Sequence, residues 1–207
     1  MSSEPKGPPG IVEALSAGWN AYKANFGPVL IGTLCSIVCT FVPIIGGYLA
    51  AAGIHNVSLK AVRGIKPEPA DGFIGFKKIV DYIVIGLLQG CGVLLCIVGL
   101  IVTMPLFMMG GFLIFDRDVT WSVAKDICME HVKPNLIKWI LFHFLLWIAA
   151  MLLTFVGLLM CIVGVFFVMP IINCTLAYAY DYAFGQPIPG EAPAVEVNAI
   201  QPEASSA

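Results

Sequence analysis

Apolar residues fill three long stretches of this chain, and charges appear only outside them. Ala24 to Leu59, Tyr82 to Phe115 and Trp139 to Tyr180 contain no Asp, Glu, Lys or Arg over 36, 34 and 42 residues. Crossing a bilayer core takes about 20 apolar residues, with a range of roughly 17 to 25. Each stretch is therefore too long for one crossing and long enough for two; halving gives 18, 17 and 21 residues per pass. Lipid offers the backbone no hydrogen-bond partners, so the passes are predicted to be helical. The expected fold class is all-α: a polytopic membrane protein with six transmembrane helices in three proline-containing hairpins. The helices are expected near 26–41, 43–61, 79–96, 98–116, 136–156 and 160–184. Turns fall near Thr40 to Gly47, Gln89 to Gly92 and Phe155 to Gly157. At 17 residues, or roughly 26 Å, a pass of the second hairpin is marginal, and a hairpin that enters and leaves one leaflet stays an alternative.

The charged intervals carry a different periodicity. Ile11, Leu15, Trp19, Tyr22 and Phe26 share one helical face, and Trp121, Ala124, Cys128 and Val132 form a second stripe. Asp71, followed by Phe73, Phe76 and Ile79, suggests a third segment capped by the aspartate. These segments are expected either in the cytoplasmic interface, with Trp and Tyr at headgroup level, or docked on the bundle as connecting helices. Residues 1–9 are expected to be disordered. So is the 186–207 tail, which is rich in Pro, Ala, Glu and Ser and lacks aromatic residues and cations. This leaves 10–185 as a single membrane domain.

An internal repeat runs through the apolar stretches. Leu95-Cys96-Ile97-Val98-Gly99, then Met104-Pro105 and Asp116, recurs 65 residues later as Met160-Cys161-Ile162-Val163-Gly164, Met169-Pro170 and Asp181, and Gly92 maps to Gly157. In the first hairpin Pro43 and Gly46-Gly47 stand against Pro105 and Gly110-Gly111, and Tyr22-Lys23-Ala24-Asn25 is similar to Val132-Lys133-Pro134-Asn135. The unit is an amphipathic segment followed by a proline-bearing hairpin. Gly99, Pro105, Asp116-Arg117-Asp118, the helix from Trp121 to Glu130, and Lys133-Pro134-Asn135 together resemble a broad group of bacterial six-helix membrane proteins. The pattern is also similar to the membrane portion fused to some glycerophosphodiester phosphodiesterases. The resemblance covers most of Val12 to Gly185 and implies an inner-membrane location without an established activity. The sequence contains no catalytic phosphodiesterase domain.

Composition agrees with lipid as the solvent. The chain is 59% hydrophobic and 12% charged, with mean hydropathy +0.91, against roughly 25% charged in soluble domains. A net charge of -2 without a basic run offers nucleic acid nothing to bind. All 11 Lys and Arg residues precede, separate or join the hairpins on one side, which the positive-inside rule assigns to the cytoplasm together with both termini. Met1 to Gly10 lacks the charge and apolar core of a cleaved signal peptide. Expected partners are the lipid bilayer and either other membrane subunits or a second copy.

Candidate chemistry is sparse. His55 and His143 are the histidines inside the spans, able to ligate a haem or pigment through a neutral ring nitrogen or to sit at the interface. Asp116 and Asp181 hold matching repeat positions, and with Asn173 they suggest an ion or substrate pathway. Alternatively the aspartates terminate helices and meet Arg117 or a Lys, because a carboxylate at a helix C-terminus needs a partner. Pro43, Pro105 and Pro170 either break helices around a midplane site or open and kink them. Gly46, Gly47, Ala50, Ala51 and Gly53 form a small-residue packing face. The seven cysteines lack a Cys-x-x-Cys spacing, and no metal site is assigned. No catalytic constellation is present and no resident cofactor is assigned. The expected role is a non-enzymatic scaffold, accessory subunit or membrane shaper; the alternatives are a small transporter or channel and a haem- or pigment-binding subunit.

Overall fold

The computed structural model describes residues 6–43, 45–92, 96–159 and 163–185, and the regular structure among them is entirely helical, as the all-α expectation requires. Eight α-helices follow in order: α1 (Ile11–Ala24), α2 (Phe26–Val38), α3 (Gly46–Val62), α4 (Ile79–Gly90), α5 (Cys96–Asp116), α6 (Trp121–Val132), α7 (Leu136–Leu159) and α8 (Val163–Phe184). A 3-10 segment spans Pro69–Lys77, and another at Lys133–Asn135 joins α6 to α7. Phe155 to Gly157, where the third turn is expected, belong instead to α7, which continues to Leu159; residues 160–162 lie outside the described residues. Residues 1–5 and 186–207, where disorder is expected, lie outside the described residues. Residues 6–9 are not helical; Pro9 is buried and Gly7 lies beside Asn135 and Lys138.

One helical run among the described residues, Trp121–Leu158, is long and apolar enough to cross a membrane, and 17% of its most apolar window is buried. A core helix of a soluble protein would be mostly covered; here Trp147, Leu152, Phe155 and Leu158 are all more than half exposed. The pair Ile11–Ala24 and Phe26–Phe41 also passes if taken as one span, but it bends by 95°. Pro28 explains the bend. It has no N–H to bond Ala24 four residues back, and its ring crowds that carbonyl, so α1 ends there.

The bend lays α1 along α8. Glu13 accepts a hydrogen bond from the Tyr178 hydroxyl at 2.8 Å, Gly18 touches the backbone of Thr175, and Phe26 stacks on Phe167 at 5.9 Å. Leu15 and Trp19 line an apolar groove with Ala149, Leu152, Leu153 and Ile171. These contacts are with the middle of α7 and α8, so α1 is a docked helix of the bundle and not one laid across the helix ends. The 3-10 segment is likewise inserted. Gly72 packs its backbone on Gly53 and Gly32, and Gly75 sits against Leu49 and Ala52. This element starts at Pro69, ahead of Asp71. Asp71 is its third residue, accepts from the Glu68 N–H at 2.8 Å and pairs with Lys60 at 2.6 Å. Ala124, Cys128 and Val132 of α6, which packs on α5, are fully buried in the main core, which also gathers Met109, Phe112, Leu113 and Tyr180.

The repeat has a physical counterpart in the turns. A β-carbon on Gly92 would strike the backbone of Gly99, one on Gly164 would strike Gly157, and one on Gly46 would strike Cys39 and Thr40. Each contact joins residues seven apart (99−92, 164−157, 46−39). The first hairpin therefore aligns through Gly46 with Gly99 and Gly164, and not through Gly46-Gly47 with Gly110-Gly111. Pro43 lies in the α2–α3 turn, whereas Pro105 and Pro170 lie inside unbroken helices.

Candidate functional site

Aligning the hairpins on their turn glycines puts three charged residues at one repeat position. Arg63, Asp116 and Asp181 each come seventeen residues after the turn glycine (63−46, 116−99, 181−164). They converge in space. The Arg63 guanidinium donates to both carboxylate oxygens of Asp116, through Nη1 to Oδ1 and through Nη2 to Oδ2 at 2.8 Å, while Nε donates to Asp181 at 3.0 Å. The Tyr180 hydroxyl donates to Asp116 at 2.7 Å, and Arg117 donates to the Phe184 carbonyl at 2.7 Å.

The arrangement follows from helix electrostatics. Asp116 closes α5 and Asp181 lies in the last turn of α8, where the exposed carbonyls carry partial negative charge and disfavour carboxylates. Arg63 caps α3, where a cation is favoured, and its planar fork suits bidentate pairing. The side chains of Arg63, Asp116 and Asp181 are 15%, 10% and 29% exposed, so the cluster is largely removed from water. The partner of the two aspartates is thus Arg63, and not Arg117 or a Lys; Arg117 instead ties down the end of α8. Arg63 is the residue that motif reading missed. The signal that finds it is its distance from Gly46.

Asn173 does not join this cluster. It donates to the Met169 carbonyl one turn back at 2.9 Å, two turns of α8 before Asp181. A continuous carboxylate–amide pathway is therefore not assembled from Asp116, Asp181 and Asn173.

The two histidines also go to different places. His55 is nine-tenths buried, its Nδ1 lies 2.7 Å from the Tyr82 hydroxyl, and its ring stacks on Phe112 at 4.3 Å. Phe112 stacks in turn on Tyr180, Tyr180 on Phe184 and Phe184 on His131, each at 5.2 or 5.3 Å. This aromatic column connects α3, α5, α8 and α6. His55 stacks on Phe112 while Arg63, eight residues on, meets Asp116, four residues on, so α3 crosses α5 obliquely. His143 bonds through Nδ1 to the Trp139 carbonyl at 2.9 Å, and its Nε2 contacts the Met108 sulfur at 3.1 Å. Both of its ring nitrogens are engaged, so an axial ligand at His143 requires Met108 to leave. No group of three or more His, Cys, Asp or Glu residues able to hold a metal occurs among the described residues.

The small-residue face of α3 is divided among neighbours. Gly46 meets the turn, Ala50 packs with Cys39 and Leu49, and Gly53 accepts the backbone of Gly72. Gly47 and Ala51 face a cleft of about 400 Å³ between α3 and α4, lined also by Tyr48, His55, Tyr82, Ile85, Gly86, Gln89 and Met108. Comparison with protein-family models, curated proteins and solved structures finds no match for this chain.

Proposed function

We propose that this chain is a multi-pass membrane protein whose three hairpins form six passes, with both termini in the cytoplasm at the inner membrane. In this proposal it works without catalysis, as a scaffold or accessory subunit of a membrane complex. The observation that carries the reading is the outer face of α7, where Leu141, Phe144, Trp147, Met151, Leu152, Phe155 and Leu158 stay exposed along the full helix. Lipid covers such a face at no cost in polar desolvation, and a partner helix can replace that lipid by close packing. The interior supports a structural role too. Its charged groups are spent on one another in the Arg63 cluster, and the histidines on Tyr82, Trp139 and Met108.

Photocrosslinking residues placed at Trp147 and Phe155, with mild-detergent isolation from the native membrane, test this reading. The expected result is one defined crosslinked partner at both sites, another subunit or a second copy, and none from Tyr178 on the α1–α8 face. Isolation of the chain alone, monomeric and crosslinked only to lipid, overturns it.

A further inference from the structure

We infer that the cleft between α3 and α4 is a binding site for a neutral, largely apolar molecule bearing a carbonyl oxygen. Two facing stripes form it. Gly47, Ala51 and His55 recur every four residues on α3, and Tyr82, Gly86 and Gln89 recur every three or four on α4, so each set shares one helical face. Small residues make the walls: nothing lies within 4 Å of where a β-carbon on Gly47 would be, while the Tyr48 ring packs against Gly86. The volume of about 400 Å³ falls in the range of small-molecule sites. From Tyr82 to Gln89 the stripe runs roughly 10 Å along the helix.

Hydrogen-bond bookkeeping sets the ligand's chemistry. The Tyr82 hydroxyl and His55 Nδ1 share a single proton between them at 2.7 Å. If tyrosine donates, neutral histidine carries its other proton on Nε2; if Nδ1 donates, the tyrosine O–H is left over. Either tautomer leaves one donor at the cleft that the pair itself does not use. His55 and Tyr82 both line the cleft, so a carbonyl oxygen placed there can accept from that donor. Gln89 is not a partner of the pair: it lies two turns along α4 from Tyr82, and its amide nitrogen donates to the Phe107 carbonyl at 3.1 Å. None of the nine lining residues is Asp, Glu, Lys or Arg, so an ionic ligand would enter without a counter-charge, which excludes fatty-acid carboxylates and cationic amphiphiles. The inference is independent of what α7 contacts.

Benzophenone is a suitable probe, because it is a neutral ketone of fitting size that inserts on illumination into nearby C–H bonds. The purified full chain in lipid nanodiscs is photolabelled and the labelled peptides are read by mass spectrometry. Labelling is expected at Ile85 and Met108. Diphenylmethane, which has the same shape but no carbonyl oxygen, should compete about tenfold less well than unlabelled benzophenone. In the double variant His55→Phe, Tyr82→Phe, which removes both donors of the pair, that tenfold preference should vanish, and Ala51→Phe should block labelling. Labels scattered over the exposed face of α7, or equal competition by the two compounds in the unaltered protein, overturn the inference. The competition arm needs no variant, so a misfolded substitution cannot rescue or sink the idea by itself.

Discussion

Replacing Arg63 with alanine tests whether one guanidinium holds three hairpins together. The substitution leaves the carboxylates of Asp116 and Asp181 facing a common space with only the Tyr180 hydroxyl as donor to the first. Removing one partner of a buried ion pair costs roughly 3–5 kcal/mol. Asp181 is 29% exposed and recovers part of its hydration, so the lower end, about 3 kcal/mol, applies. For a chain of this length that corresponds to a drop in Tm of roughly 6–12 °C. Asp116→Asn, which keeps one hydrogen bond, should cost about 2 kcal/mol, and Asp181→Asn about 1 kcal/mol, because water already reaches the latter. The three changes do not add, since they act on one network. Arg63→Met combined with both Asn changes removes every charge at once and should return to within about 1 kcal/mol of the native protein. Thermal unfolding at constant detergent composition, followed by intrinsic fluorescence, measures all four variants. An Arg63→Ala protein melting within 1–2 °C of native, or a triple variant less stable than Arg63→Ala, would refute the latch.

Other outcomes follow from the packing. Gly18→Ala and Gly53→Ala put a β-carbon into the backbone of Thr175 and of Gly72; each should cost about 1–3 kcal/mol, whereas Gly47→Ala meets open space and should be neutral or gain up to about 1 kcal/mol from helix propensity, all read as Tm. The Thr33 hydroxyl is buried without a partner, so Thr33→Val should stabilise by about 1 kcal/mol in the same assay. Cysteines placed at Lys66 and Lys125 in a cysteine-free background should react with a membrane-impermeant maleimide from the same side of oriented vesicles; reaction from opposite sides would mean an odd number of crossings between them. Protein expressed with excess haem should show no Soret band that depends on His143, because Met108 occupies the face of His143 that an iron would need, and a stoichiometric band lost in His143→Leu would reverse that conclusion.

The helical class was legible because charge marks where water is. A long uncharged stretch, if covered by lipid, offers the backbone no hydrogen bonds but its own. Helix α2 lies inside the first stretch, while α3, α4, α5, α7 and α8 overrun theirs by a few residues and α1, but for Ala24, and α6 lie outside. What periodicity does not report is how one element lies on another. Whether an amphipathic stripe faces a bilayer or a neighbouring helix is the same signal to a sequence, so α1 is readable from it as interfacial or as docked. The deciding feature was Gly18, whose lack of a side chain lets α1 come onto the backbone of Thr175. The same limit explains Arg63. Prolines are conspicuous, and matching Pro43 to Pro105 pulled the first hairpin out of register with the others. Yet a proline in a turn and one inside a helix solve different problems: the first ends a helix, while the second is carried by its neighbours. A glycine at a seven-residue turn contact is fixed by sterics and cannot drift, which makes it the better ruler. Measured from it, each hairpin contributes one charge at the same depth, and the first must contribute the opposite sign. Three aspartates there would repel in a partly dry site, and three arginines would do the same; two acids and one base come nearest to neutral with a bidentate fork. Divergence of the first hairpin at this position is therefore what electrostatics demands of a repeat that closes on itself.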